Sequence, residues 1–469
     1  MNILRFCING QEREIDFSKP ESPSPFCSVL HYIRHYEKLT GTKEMCGKGD
    51  CGACTVILAS QTDSKGECNY RALDSCLLPL AELHGNHLLT IEAPADCMDT
   101  LPIREAFLKE RASQCGFCSP GMVLSIYSHI KNGYPFTPEF IKRTLSGNLC
   151  RCTGYTTILQ AALSLEKAGV IIKQNEKPLL FPIIENNSLN LRKNNESYIR
   201  PVSLTELKEL LKDYPHLPLT GGLTGSGMTY RKSVIDVSHV KEMLACEETE
   251  DFITLGASCT IKDMSTLLGK HFPYMVPYLE DFASEQIRGK ATIGGSLADG
   301  SPVGDIMPLC MAHNAVCIIM GPDSIREVFC DRFMLNYRKV DLKPGELILA
   351  VRFDRPAKNV FYAAFKQSRR KNMDISSVCL AATIKLINGK CHSVRLVYGG
   401  MAAVTAHALQ TEKFLKGKVF SLSNCKKAAN CIAADFEPLS DLRGSKQFRM
   451  DTAKNMLISL YQKYSEQNE

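Results

Sequence analysis

The sequence predicts a multidomain α+β protein, and three observations carry that expectation. Its 469 residues suffice for about three domains, each with its own core. The first third holds short strand-like runs followed by amphipathic helical runs, and each part carries four cysteines at motif spacing. The remainder mixes strands and helices around two glycine-rich loops. Composition agrees, since 44% apolar and 23% charged residues are ordinary for a globular chain.

The balance of 56 Lys and Arg against 50 Asp and Glu leaves +6, without long basic runs, so no nucleic-acid partner is expected. The opening Met1-Asn2-Ile3-Leu4-Arg5-Phe6 lacks the pattern of a signal peptide, and no run approaches the roughly 18 apolar residues of a spanning helix. A cytoplasmic location and no membrane partner are the expectation. In such a compartment 21 cysteines argue for metal or redox sites rather than disulfides, the remainder serving as small apolar residues.

Within residues 1–90, alternation in Ile3-Leu4-Arg5-Phe6-Cys7-Ile8, a turn at Asn9-Gly10 and a second run ending at Phe17 predict a β-hairpin. Phe26, Val29, Leu30, Ile33, Tyr36 and Leu39 follow helical spacing, with Gly41 placed to end the helix. Cys46, Cys51 and Cys54 then share one glycine-rich loop, followed by strand-like Thr55-Val56-Ile57-Leu58 and, later, Cys76. C-x4-C-x2-C with a distant fourth cysteine is the ligand pattern of a plant-type [2Fe-2S] cluster in a ferredoxin-type unit. Gly47, Gly49 and Gly52 supply the backbone freedom that a loop around a cluster requires. Structural zinc also takes four thiolates, but zinc ribbons usually present two C-x2-C knuckles.

Residues 91–170 predict a four-helix unit around a second set. Cys115 and Cys118 form C-x2-C, and Cys150 and Cys152 form C-x-C. Ser119-Pro120 reads as cap and first residue of a helix through Met122, Val123, Ile126, Tyr127 and Ile130. Thr137-Pro138 opens another through Ile141 and Leu145, which Gly147 can end, and a last helix runs from Ile158 to Ala168. Helix starts beside both cysteine pairs favour thiolates and a negatively charged cluster. Zinc or plain core cysteines is the alternative for either pair alone.

The order Cys46-Gly47-Lys48-Gly49-Asp50-Cys51-Gly52-Ala53-Cys54, then Gln114-Cys115-Gly116-Phe117-Cys118-Ser119-Pro120-Gly121-Met122, then Asn148-Leu149-Cys150-Arg151-Cys152-Thr153-Gly154-Tyr155, resembles the iron–sulfur half of the molybdenum hydroxylases, the xanthine dehydrogenase and aldehyde oxidase family. The resemblance implies a β-grasp plant-type ferredoxin domain over 1–90 and a four-helix [2Fe-2S] domain over 91–170.

Residues 171–197, with Asn186-Asn187, Asn194-Asn195 and no sustained period, read as a linker. In 198–350, a helix through Leu204, Leu207 and Leu211 precedes the loop Leu219, Thr220, Gly221, Gly222, Leu223, Thr224, Gly225, Ser226. It is neither a Walker loop nor G-x-G-x-x-G, and reads either as a pyrophosphate nest or as a flexible turn. A second small, hydroxyl-rich loop contains Thr292, Gly294, Gly295, Ser296, Ser301 and Asp305. Two such loops suggest a dinucleotide. Ala283-Ser284-Glu285-Gln286-Ile287-Arg288 and Thr292-Ile293-Gly294-Gly295 resemble the same family's FAD domain, of the vanillyl-alcohol-oxidase/CO-dehydrogenase type, so FAD is implied rather than a Rossmann-bound NAD.

Residues 351–469 form the expected C-terminal α+β subdomain, with strands Phe361 to Phe365 and Val378 to Leu386. The run between them reads as a solvated basic hairpin, while the resemblance places Lys366 at the flavin and, less firmly, Arg370 and Asp374 near an NAD site. The resemblance, running to the end of the chain, implies the electron-transfer half of an NAD-dependent xanthine dehydrogenase. Electrons from hypoxanthine or xanthine, oxidised to urate, would pass through the Cys115/Cys118/Cys150/Cys152 cluster, then the Cys46/Cys51/Cys54/Cys76 cluster, to FAD and NAD+. No segment remains for a molybdenum cofactor, so a large partner subunit is expected to hold it and the hydroxylation site, in a dimer of heterodimers. An aldehyde or N-heterocycle hydroxylase, a stand-alone NADH-oxidising flavoprotein and a metal-binding interaction protein are the alternatives.

Overall fold

The computed structural model describes residues 2–61, 68–167, 169, 188–225 and 232–467. They divide into two compact units. The first contains residues 1–202, 217–237 and 284–291, and the second contains 203–216, 238–283 and 292–469.

In the first unit, β1 (Ile3–Ile8) and β2 (Gln11–Asp16) make the expected hairpin, α1 (Val29–His35) follows, and β3 (Thr55–Gln61), β4 (Cys68–Asp74) and β5 (His87–Leu89) complete a sheet of order β2-β1-β5-β3-β4. Strand β3 is buried on both faces. Its alternation sends Val56 and Leu58 into a core shared with Val29 and Ile33 of α1, and Ile57 and Ala59 into a second core under the helices. Those helices are α2 (Leu101–Lys109), α3 (Ser119–Lys131), α4 (Pro138–Thr144) and α5 (Thr156–Lys167). Thr137 caps α4 as expected, accepting from the Phe140 N–H. Ser119 is not a cap: Cys118 takes that position, and the Ser119 hydroxyl bonds instead to Ser113 Oγ at 2.8 Å.

A further sheet of order β6-β7-β9-β8 belongs to the same unit, from β6 (Leu189–Lys193), β7 (Glu196–Arg200), β8 (Leu219–Thr220) and β9 (Ser233–Asp236). The stretch 171–197 is therefore not linker throughout. Leu189 and Leu191 are buried while Asn190 and Arg192 are exposed, a period of two too short to stand out among asparagines and lysines. Residues 171–187 lie outside the described residues.

The second unit holds a five-stranded sheet, in spatial order Cys246–Glu248, Phe252–Gly256, Leu347–Asp354, Val316–Met320 and Ile325–Phe329. A four-stranded sheet is built on Val360–Gln367, Val378–Ile387 and Lys390–Gly399. Its inward residues Val378, Leu380, Ala382 and Ile384 pack against Ala453, Met456, Leu457 and Leu460 of the helix Lys446–Glu466. Buried Arg449 ties Asp441 Oδ1 at 2.7 Å and the Gly400 carbonyl at 2.9 Å, so the Gly399-Gly400 and Asp441-Gly444 turns hold the subdomain together. Among the described residues, no helix is long and apolar enough to cross a membrane.

Candidate functional site

The loop between α1 and β3 presents Cys46, Cys51 and Cys54, and Cys76 follows β4. Cys51, Cys54 and Cys76 are buried and Cys46 is half-buried. The thiols come together in pairs, Cys46 with Cys51 and Cys54 with Cys76. Gly47, Gly49 and Gly52 all have positive φ, as the motif requires. Lys48 and Asp50 N–H groups donate to Cys46 Sγ at 3.5 and 3.2 Å. Burial pushes the Cys46 thiol up, but the Lys48 N–H, the Cys51 thiol and the Asp50 N–H outweigh it, so its pKa falls below the ordinary value. The Cys54 thiol is raised by its hydrogen bond with Cys76, by burial and by the Asp74 carboxylate.

The second set pairs as well. Cys152 Sγ donates to Cys115 Sγ at 3.7 Å, and Cys118 is hydrogen-bonded to Cys150. Burial and the Cys150 partner push Cys118 up to about 12. For Cys150, burial is outweighed by Thr153, whose hydroxyl lies 3.2 Å from Sγ, and the pKa falls. All four cysteines sit beside the starts of α3 and α5, as expected. In each set the four thiols fall into two pairs, which matches a dinuclear cluster whose irons each take two thiolates, so the residues fit [2Fe-2S] groups.

One buried side chain to which sequence reasoning gave no role, Asn148, links the loops that carry these sets. Asn148 donates to the Gly52 carbonyl at 3.0 Å and Thr55 Oγ1 at 3.1 Å, and accepts from Ser125 Oγ at 2.8 Å and Gln286 Nε2 at 3.0 Å. Its amide capacity is thereby filled. The next residue, Leu149, donates its N–H to the Cys51 carbonyl at 2.9 Å. Close approach is enforced by glycine: a Cβ on Gly52 would stand 2.4 Å from the Gly147 oxygen, and one on Gly121 would stand 2.3 Å from the Gly52 oxygen. The signal was an Asn abutting a cysteine motif, but a polar residue there reads equally as solvent-exposed. Asn148→Ala should lower stability by about 2–4 kcal/mol, since it strands several buried partners at once. Chemical unfolding checks this, and a change under about 0.5 kcal/mol would show that the network is dispensable.

The glycine-rich loops fall in different units. In the first unit, Leu219 and Thr220 form β8, and the Gly222 carbonyl accepts from Lys290 Nζ at 2.6 Å. Lys290 also pairs with Glu82 at 2.5 Å, a link with no sequence signature. A Cβ on Gly222 would meet the Lys290 oxygen at 2.3 Å, and Leu223 holds a positive φ of 51°. Gly221, Thr224 and Gly225 continue this turn, and Ser226 lies outside the described residues.

In the second unit, Thr292 Oγ1 accepts from the Gly295 N–H at 3.1 Å and opens the turn Ile293–Ala298, which contains Ser296. Gly294 donates to the Ala257 carbonyl at 2.9 Å, and a Cβ there would stand 2.7 Å from that of Ala257. Ser301 accepts the Gly304 N–H through its carbonyl at 3.1 Å. Asp305 and Lys366 are brought together as a buried ion pair of 2.7 Å, completed by Ser376 on Asp305 and by the Asp281 carbonyl, 2.9 Å from Lys366 Nζ. Lys366 is thus held by protein partners, which the sequence reading did not foresee. In the basic hairpin, the Arg370 N–H donates to Asp374 at 3.0 Å. Gly294→Ala should cut flavin content several-fold while leaving iron unchanged, because the added methyl must displace the Ala257 strand end. An acid-released flavin assay beside iron analysis reads both, and undiminished flavin counts against this loop.

Three family models match the chain: a [2Fe-2S] binding domain over residues 90–163, the FAD binding domain in molybdopterin dehydrogenase over 192–356, and the CO dehydrogenase flavoprotein C-terminal domain over 363–464. Xanthine dehydrogenase of Oryza sativa subsp. japonica is 31% identical over 87% of this chain and 36% of its own length. Xanthine dehydrogenase/oxidase of Gallus gallus is 28% identical over 98% and 40%, and aldehyde oxidase 3 of Mus musculus 27% identical over 98% and 39%. The chain thus spans well under half the length of these curated relatives. Among solved structures, quinoline 2-oxidoreductase from Pseudomonas putida 86 superposes with a TM-score of 0.53 at 27% identity, covering 58% of this chain and 98% of that one. A Cu,Mo-CO dehydrogenase chain gives 0.52 at 25%, covering 56% and 94%.

Proposed function

Because the chain belongs to the molybdenum hydroxylase family, as its iron–sulfur and FAD-binding part, we propose that it is the electron-transfer half of a xanthine dehydrogenase. When bound, the clusters carry single electrons and the flavin exchanges a hydride with NAD+. Cys115, Cys118, Cys150 and Cys152 hold the cluster that faces a large molybdenum-bearing partner, and Cys46, Cys51, Cys54 and Cys76 hold the next. The supporting observation is the hydrogen bond from Leu149, the neighbour of Cys150, to the carbonyl of Cys51. It leaves a single non-covalent step between the polypeptide arms of the two ligand sets. Thr292 to Asp305 and the sequence stretch Leu219 to Ser226 are the proposed FAD loops, with Lys366 fixing Asp305 in the former. Domain limits follow the sequence reading, except that the first flavin-domain hairpin begins at Leu189.

The sequence relatives include an aldehyde oxidase and the structural ones a quinoline oxidoreductase, so hydroxylation of an aldehyde or N-heterocycle is the second reading. The test is reconstitution. The purified chain should oxidise NADH with an artificial acceptor and leave xanthine untouched. Mixing it with its co-purified large partner should yield xanthine-dependent NAD+ reduction. Purine hydroxylation by the isolated chain overturns the division of labour, and turnover with aldehydes or N-heterocycles alone selects the second reading.

A further inference from the structure

Outside the two ligand sets, Cys246 and Cys259 lie with their sulfurs 3.4 Å apart. We propose that they are a redox-active dithiol, a modification site at which a small disulfide of neutral or positive charge is reduced and an intramolecular Cys246–Cys259 disulfide forms.

The two cysteines are unequal in the way such a reaction needs. Cys246 lies on the three-residue edge strand Cys246–Glu248 and is exposed. Cys259 is buried at 2% exposure, donates to the Leu244 carbonyl at 3.5 Å, and its own carbonyl is held by the Ile293 N–H at 3.0 Å. Thr260, next in the chain, makes a full capping box with Asp263 for the helix Ile261–Gly269. Cys259 is therefore the anchored thiol and Cys246 the movable one. A hollow of about 350 Å³ opens over them, lined by Leu244, Cys246, Cys259, Asp263, Thr266 and Leu267, with room for a small reagent. Electrostatics favours the same assignment: the Cys259 thiol, and a Gly256 N–H, lower the Cys246 pKa against burial, Asp263 and Glu248, while Cys259 is raised. Glu248 is engaged by Arg355 at 3.1 Å and His271 at 3.0 Å, which leaves Asp263 as the charge at the hollow and disfavours an anionic reagent.

The chemistry balances. The Cys246 thiolate attacks one sulfur of the disulfide RSSR, its S–S bond breaks, and RS⁻ leaves, taking up the proton that Cys246 released. Cys259 then attacks Cys246 Sγ, passes its proton to the second RS⁻, and releases it as RSH. Two protein thiols lose two electrons and two protons, and RSSR becomes two RSH. Forming the bond requires the sulfurs to close from 3.4 Å to about 2 Å. Cys317 and Cys330 form an internal control: their sulfurs are 3.6 Å apart, but both are buried, so a reagent has no access.

The test treats the full cofactor-loaded chain with cystamine and maps cysteines by mass spectrometry after alkylation. The expected product is a Cys246–Cys259 cross-linked peptide with no retained cysteamine, and Cys317 and Cys330 alkylated as thiols. Cys259→Ser should trap a stable mixed disulfide at Cys246. Mapping the unmutated chain decides the matter even if the variant misfolds. Free Cys246 and Cys259, a lasting mixed disulfide in the unmutated chain, or faster loss of Cys317 and Cys330 would each overturn the proposal.

Discussion

Cys152→Ser should lower iron from about four to about two per chain and remove one of two electron paramagnetic resonance signals, and Cys46→Ser should remove the other. Neither is buried, so the exchange of sulfur for oxygen disturbs ligation more than packing. Cys152 is exposed, with its thiol on Cys115, and Cys46 is half-buried on a loop whose glycines already carry the backbone strain. The result is a complementary pair of variants, each retaining one signal, with flavin content unchanged in both. Loss of both signals in a folded variant, or of neither, would remove the assignment of two separate four-thiolate sets. Stoichiometric zinc in the unmutated protein would do the same.

Asp305→Ala should destabilise the second unit by about 3–5 kcal/mol, the cost of leaving a buried cation without its partner. Lys366 and Asp305 side chains are 3% and 7% exposed, so water cannot replace the lost carboxylate. On a unit of this size the shift in melting temperature is on the order of 10 °C. The double variant Asp305→Leu with Lys366→Met removes both charges and should recover most of the loss. Thermal unfolding followed by flavin fluorescence measures the series. A single variant within about 1 kcal/mol of the parent would mean that the pair is solvated and not a fixed strut.

The gathering of the candidate ligand thiols was legible because cysteine spacing is a local property of the chain. The helical unit was legible for a similar reason: Thr137-Pro138 and the repeat from Met122 to Ile130 are short-range patterns, and both appear as α4 and α3. What escaped was long-range. Asn148 meets Gly52, and Gln286 meets Asn148, across chain separations that no motif records. Lys290 and its partners Glu82 and Gly222 were invisible likewise. Lys366 and Asp305 were each named as flavin contacts from different motifs, and only folding shows that they pair with one another. Ser119 was misread as a cap because Ser-Pro favours that role; its neighbour Ser113 supplied a better partner than the helix end.

The hydrogen bond from Leu149 to Cys51 also bears on how the protein is matured. Each of the two loops it joins carries ligands of a different set, so each loop in its final shape offers the other a hydrogen-bond partner. Filling one set therefore preorganises the other, and by linkage the enhancement of affinity is the same in both directions. At saturating iron and sulfide this is hidden, and the single-set variants load normally. At limiting iron the half-loaded chain should be scarcer than random filling would give, so that apo and doubly loaded molecules dominate the mass spectrum of the intact protein.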